Sequence, residues 1–200
     1  DINPSIVKGQ WYKSKLSKDQ SINIDFIQGD VTNPPFSADV FDIIYSSGVL
    51  HHTPDTKKSF VTLSSHLKPE GIFSVWLYKK MKNAFIPLIP FVTAKFLRID
   101  KYKMRKYTTK LNPKFLYILL SAYSCYVTFF YKLNALVRKR THNQSAKELT
   151  TSLFDTFSPQ YQYMHTSDEV SGWYNELHFK DIKDTSLIDD DFGINIRGVK

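Results

Sequence analysis

The chain has 200 residues, enough for one domain or for one domain carrying an insertion. Hydrophobic residues make up 42% and charged residues 23%, which excludes a disordered composition, and a single cysteine, Cys125, excludes an internal disulfide framework and any multi-cysteine metal site. The net charge of +8 hides two populations: Lys79 to Arg140 holds 15 basic residues and one acid, Asp100, whereas the other 138 residues hold 12 basic and 18 acidic.

From the amino end, Asn3-Pro4-Ser5 opens a turn and Ile6 to Leu16 reads as a helix. Ile22 to Ile27 alternates apolar and polar residues, the pattern of a short strand, and Gly29-Asp30 ends it. Asn33-Pro34-Pro35 marks a loop. Val40 to Tyr45 reads as a strand with a continuous apolar core, and a loop from Ser46 to Thr53 follows it. Asp55 to Leu67 is an amphipathic helix, with Phe60, Leu63 and Leu67 at helical spacing between Pro54 and Pro69-Glu70-Gly71. Ile72 to Tyr78 reads as a buried strand. Strands near residues 24, 43 and 75 alternating with helices give the rhythm of a parallel sheet, so the fold class expected is α/β.

The basic middle is also the most apolar and aromatic stretch. Ala84 to Ile99 and Phe115 to Val137 read as a helix pair flanked by basic runs, Lys101 to Lys106 and Arg138 to Arg140. Phe115 to Tyr131 lacks charge, but its 17 residues sit at the short limit for a membrane span and include Ser121, Tyr123, Ser124, Tyr126 and Thr128. A buried or surface-lying helix is the reading preferred. Asn143-Gln144-Ser145 matches a glycosylation triplet by chance. Beyond the insertion, Thr166 can cap a helix with Glu169 three residues on, and Val170, Trp173, Tyr174 and Leu177 line one face. Phe179 to Asp184 and Gly193 to Val199 read as strands. The expected division is a core over 1–78, a basic aromatic insertion over 79–150, and a closing helix and strands over 151–200.

Residues Asn23 to Tyr78 resemble the class I S-adenosylmethionine-dependent methyltransferases of the small-molecule type, a Rossmann-like family. The resemblance rests on Phe26-Ile-Gln-Gly-Asp30, Pro35-Phe36, Phe41 to Asp55 (FDIIYSSGVLHHTPD) and Leu67-Lys-Pro-Glu-Gly71, in that order and spacing. It continues from Ser158 to Tyr161, through His165 to Val170, and at Trp173 and His178-Phe179, where the family has glycine in place of His178. It implies a Rossmann-like sheet whose first strands and glycine-rich first motif are missing, that is, an N-terminal truncation. An incomplete sheet of this kind is expected to expose apolar edges and to be marginal in stability.

The same resemblance assigns candidate site residues. Asp1 corresponds to the acid that holds the cofactor ribose, with a frayed terminus as the alternative. Asp30 corresponds to the acid at the adenine amino group, with Val31 offering its backbone N–H and Gly29 keeping the turn open; the alternative is a turn aspartate serving its own loop. Ser46, Ser47 and Gly48 follow a strand at the carboxyl edge of the sheet, where open α/β folds take their ligands, and would flank the methionine end. His52, and after it His51, is a candidate base for the acceptor, against a role in holding the loop. Two adjacent histidines without a third ligand do not make a metal site. Tyr161, Tyr163 and His165 form a polar aromatic patch that would close over the acceptor, or pack the loop on the sheet.

The function implied is S-adenosylmethionine-dependent methyl transfer to a small or lipid-like acceptor, in a cytoplasmic protein with a membrane-peripheral variant of that location. The alternative is a non-catalytic module of the same fold that binds an anionic membrane surface or a partner. The aromatic insertion ranks a lipid or membrane-proximal acceptor first, a soluble anionic metabolite second and nucleic acid last. The plain alternative is that its helices pack together and its lysines serve solubility.

Overall fold

A computed structural model describes residues 24–80, 85–87, 98–138, 145–186 and 193–200. The expected Asn3-Pro4-Ser5 turn, the Ile6–Leu16 helix and the ribose candidate Asp1 lie outside these residues. The described chain forms two compact units, one from residues up to Lys80 together with Tyr161–Lys200, the other Met81–Gln160.

The first unit is built on a four-stranded sheet of order β1-β2-β6-β5. β1 (Phe41–Ser47) runs parallel to β2 (Leu67–Tyr78), which pairs antiparallel with β6 (Gly193–Val199), and β6 pairs antiparallel with β5 (Lys180–Asp184). Between β1 and β2 lies α1 (Thr56–Ser65), started by Asp55, whose Oδ1 accepts the Lys58 N–H at 2.9 Å. Between the units' junction and β5 lies α5 (Ser167–Glu176), capped by Thr166, whose hydroxyl oxygen accepts the Glu169 N–H at 3.2 Å. β2 alternates strictly in its carboxyl half: Phe73, Val75 and Leu77 are fully buried, while Ser74, Trp76 and Tyr78 are half-buried on the other face.

The buried face meets Phe60 of α1, Val170, Trp173 and Tyr174 of α5, and Ile194 and Ile196 of β6 in one apolar cluster. Phe60 stacks on Phe73 with ring centroids 4.7 Å apart and meets Tyr174 edge-on at 4.7 Å. The fully buried Tyr174 hydroxyl shares its proton between the carbonyls of Phe73 (3.1 Å) and Ile196 (3.0 Å), so it ties β2 to β6. Gly198 lets that ring approach: a Cβ there would stand 2.8 Å from Tyr174 Cδ1. α5 ends with His178 at φ 59, its N–H bonded to the Asn175 carbonyl and the Phe179 N–H to the Tyr174 carbonyl, both at 3.0 Å. This is a Schellman turn with histidine in the left-handed position.

The second unit holds a two-stranded antiparallel ribbon, β3 (Phe85–Pro87) with β4 (Arg98–Asp100), followed by α2 (Lys101–Thr108), α3 (Pro113–Arg138) and α4 (Ala146–Phe157). Leu116 of α3 packs with Leu153 and Phe157 of α4. Arg105 of α2 donates to the carbonyls of Thr156 and Pro159 at the end of α4. Ser145 and Glu148 form a reciprocal capping box that starts α4. Residue 150, where the expected insertion ends, falls within α4. Pro113–Leu133 is long and apolar enough to cross a membrane, by length and composition.

Two expectations are corrected. Residues 24–27 of the expected Ile22–Ile27 strand carry no strand, since no described strand pairs with them and a lone alternating segment has no ladder. The stretch Ala84–Ile99 is not the first member of a helix pair: its described residues form the ribbon Phe85↔Asp100, Ile86↔Ile99. Pro87 removes a helical donor there, and the β-branched Ile86 and Ile99 suit a strand.

Candidate functional site

Parallel β1 and β2 end on the same edge of the sheet, at Ser47 and Tyr78, and antiparallel β6 begins there at Gly193. Three segments converge on this edge. The first is the loop after β1. Gly48 turns it at φ 72 and donates its N–H to the Trp76 carbonyl at 3.1 Å. A single 3-10 turn, Leu50–His52, follows. The loop is then fixed by short polar links: the Thr53 hydroxyl donates to the Leu50 carbonyl (2.7 Å), and the Ser59 hydroxyl faces Thr53 Oγ1 and the Asp55 carbonyl, each at 2.9 Å.

The second segment is the end of β2, which presents Trp76 and Tyr78. His51 is fully buried and stacks on Tyr78 with centroids 4.0 Å apart. It lies 4.3 Å from His52 and 6.2 Å from Trp76. Neither of its ring nitrogens has a hydrogen-bond partner. Burial, and then the nearby His52 and His165, push its pKa down to about 3, so the ring is neutral.

The third segment is the strap from Tyr161 to His165. His52 Nδ1 donates to the Tyr161 carbonyl at 2.9 Å. A carbonyl only accepts, so Nδ1 carries the proton and Nε2 of the neutral ring keeps the lone pair. The Tyr163 N–H bonds the His51 carbonyl at 2.9 Å, and its hydroxyl bonds the Pro54 carbonyl at 3.1 Å. His165 pairs with the end of β2: its N–H reaches the Tyr78 carbonyl (2.9 Å), and its carbonyl accepts the Lys80 N–H (2.8 Å).

The structure therefore brings Ser46, Ser47, Gly48, His51, His52, Tyr161, Tyr163 and His165 to one edge. It divides them by role. His52 is half-buried with a lone pair at Nε2, whereas His51 is fully buried and stacked on Tyr78. His165 is buried too: its Nδ1 donates to Glu169 Oε1 at 3.0 Å, its ring stands edge-on to Trp173, and its backbone anchors the strap.

Gly29, Asp30 and Val31 lie in the loop before β1. Asp30 is exposed and its Oδ1 accepts the Thr32 N–H at 2.8 Å; that bond holds its carboxyl below the usual range. Val31 packs against the sheet's apolar cluster. Gly29 sits close to Pro35, whose Cδ would be 3.2 Å from an added Cβ.

Trp76 and Tyr78 escape a reading that takes Ile72–Tyr78 as uniformly buried. Their signal is parity: with Phe73, Val75 and Leu77 facing the core, 74, 76 and 78 must face the other way. The indole of Trp76 covers Gly193, where a Cβ would collide with it.

Residues 1–75 match the methyltransferase domain family. Over 75 residues the chain is 39% identical to the highly reducing polyketide synthase Preu5 of Preussia isomera, a match covering 36% of this chain and 3% of that protein. Among solved structures, one described as a possible exported protein of Bordetella parapertussis aligns with all of this chain and 51% of its own, with a TM-score of 0.52 and 13% identity, a likeness of fold. The YcgJ protein of Bacillus subtilis aligns with all of this chain and 80% of its own, with a TM-score of 0.45 and 16% identity. The chain thus spans a small part of its curated relative and about half of the first of these structures. Its first 75 residues carry a methyltransferase-like domain of the class I S-adenosylmethionine-dependent type. The open mixed sheet with its flanking helices is that of an incomplete Rossmann-like methyltransferase fold.

A fold of this kind implies S-adenosylmethionine. Ser46 is buried at the carboxyl edge of the sheet, and its Oγ has no hydrogen-bond partner among the described residues. Gly48, beside it, keeps the backbone open to close approach.

Proposed function

We propose that this chain is part of a methyltransferase that transfers the methyl group of S-adenosylmethionine to a hydroxyl or amine of a small or lipid-like acceptor, with His52 as the base. The carrying observation is the His52 tautomer: the Tyr161 carbonyl fixes the proton on Nδ1 and orients Nε2 as a proton acceptor. Bound S-adenosylmethionine would supply an electrophilic methyl group, so the protein has to position and deprotonate more than to react. Ser46 Oγ and the open backbone at Gly48 would hold the methionine end, and Asp30 with the Val31 N–H the adenine. His52 Nε2 would take the acceptor proton as the new bond forms. The Tyr161–Tyr163 strap and the ring faces of Trp76 and Tyr78 would keep water from that proton.

The test joins calorimetric titration of the full chain with S-adenosylmethionine to transfer of radiolabelled methyl into a cellular lipid and metabolite extract. Micromolar binding is expected, weakened by Asp30→Ala. His52→Gln is expected to leave binding unchanged and lower transfer about 100-fold or more. A folded sample that takes up no S-adenosylmethionine would sink the reading. One observation favours the second reading, a fold retained without catalysis: the Thr32 N–H already occupies Asp30 Oδ1. On that reading Asp30→Ala changes the stability of the loop and no ligand affinity.

A further inference from the structure

α3 is apolar on its solvent side as well as its packed side. A helix at a protein surface turns apolar residues to the core and polar ones to solvent. Here the buried side carries Leu116 and Val127 together with Ser124 and Thr128, whose hydroxyls have no hydrogen-bond partner among the described residues. The solvent side carries Phe115, Ile118, Leu119, Tyr126, Phe129 and Leu133, with Ile118 62% and Phe129 63% exposed. Phe115, Ile118, Ala122, Cys125 and Phe129 follow in steps of three and four, so they form one stripe along the helix. Isolated apolar residues on a surface are ordinary, but a continuous stripe of large ones marks a docking surface.

Charge says what covers it. From Lys101 to Lys147 the chain contains no acidic residue. Lys106, Lys110 and Lys114 are exposed just before and within the first turn of α3, and Lys132, also exposed, stands three residues beyond Phe129 on the same stripe. Apolar rings flanked at both ends by ammonium groups match a layer of acyl chains beneath anionic headgroups, with the lysine stems reaching outward to the phosphates. Nucleic acid would use the lysines but not the stripe. The helix does not need to leave the protein to reach a bilayer. Its opposite side stays packed through Leu116 on Leu153 and Phe157, which argues for lying in the interface rather than crossing it.

We propose that the outward stripe of α3 docks into the interfacial layer of an anionic membrane. The experiment is co-sedimentation of the full chain with mixed phosphatidylglycerol–phosphatidylcholine vesicles and with pure phosphatidylcholine vesicles. Binding to the anionic vesicles at low ionic strength, weakened by salt, is the expected result. Phe129→Glu should reduce partitioning roughly tenfold or more, and Lys110→Ala and Lys114→Ala about fivefold each. Ile118→Glu gives a second test of the same face if Phe129→Glu fails to fold by circular dichroism. Four results would overturn the proposal. They are no binding to anionic vesicles at low salt, equal binding by both stripe variants, retention in the bilayer through alkaline carbonate extraction, or a vesicle-free dimer that the stripe variants dissolve.

Discussion

His51 holds a neutral imidazole among rings, without a hydrogen bond at either nitrogen. Its pKa of about 3 sets a direction for stability. As pH falls below the ordinary value near 6.5, the unfolded chain binds a proton at His51 and the folded chain does not, until about pH 3. Stability from this residue is thus complete above pH 6.5 and is lost as the pH falls to about 3, by up to roughly 5 kcal/mol. His51→Phe keeps a flat ring in the box and removes two unpaired polar atoms. It is expected to hold or raise the urea midpoint at pH 7 and to flatten its decline between pH 6.5 and pH 4. A decline as steep as in the wild type would assign the acid sensitivity elsewhere. His178 is strained in a different way, through its backbone at φ 59. Replacing it with glycine relieves a left-handed conformation that costs an L-residue about 1 kcal/mol, so His178→Gly should raise the thermal midpoint by a few degrees. An unchanged or lower midpoint would mean that the imidazole makes up the difference.

Among the elements, β1 stands alone at an edge of the described sheet, with Ile43 64% and Tyr45 66% exposed on one face. An edge strand with apolar side chains invites association. Ile43→Lys is expected to raise the concentration at which light scattering appears, while changing stability by less than about 0.5 kcal/mol, as surface substitutions do. Loss of a folding transition would show that Ile43 is needed for packing. Elements with local signals were legible in the sequence: the helix starts at Asp55 and Thr166, the α5 face, and β6, bounded by Gly193 and Val199 as expected, whereas Leu67, expected on the α1 face, opens β2. Elements that need a distant partner were not. Residues 24–27 have an alternating pattern and no ladder, and Phe85–Pro87 gains its strand only by meeting Arg98–Asp100. The site divided in the same way. The convergence of the β1 loop and the Tyr161–His165 strap follows the motif order, but the burial of His51, the tautomer of His52 and the part of Trp76 and Tyr78 depend on contacts across many residues. Periodicity locates α3 but does not tell which side of an apolar helix faces solvent.

At the scale of the whole molecule, charge and apolar surface follow the division into units. The sheet unit has its aromatic cluster around Phe60, and the second unit its smaller one around Leu116. The chain departs from the first unit after Lys80 and rejoins it at Tyr161. Around that gap, the His165 N–H is bonded to the Tyr78 carbonyl and the Lys80 N–H to the His165 carbonyl. The exit and the return are therefore clasped side by side by main-chain bonds that ignore which side chains lie between. The entropy of closing such an excursion grows with the logarithm of its length, at about 0.6 kcal/mol per doubling. The clasp makes the end of β2 a splice point, where segments of very different size can be accepted at nearly constant energy. The docking surface could thus diversify in length and composition while the His52 loop next to the clasp keeps its shape.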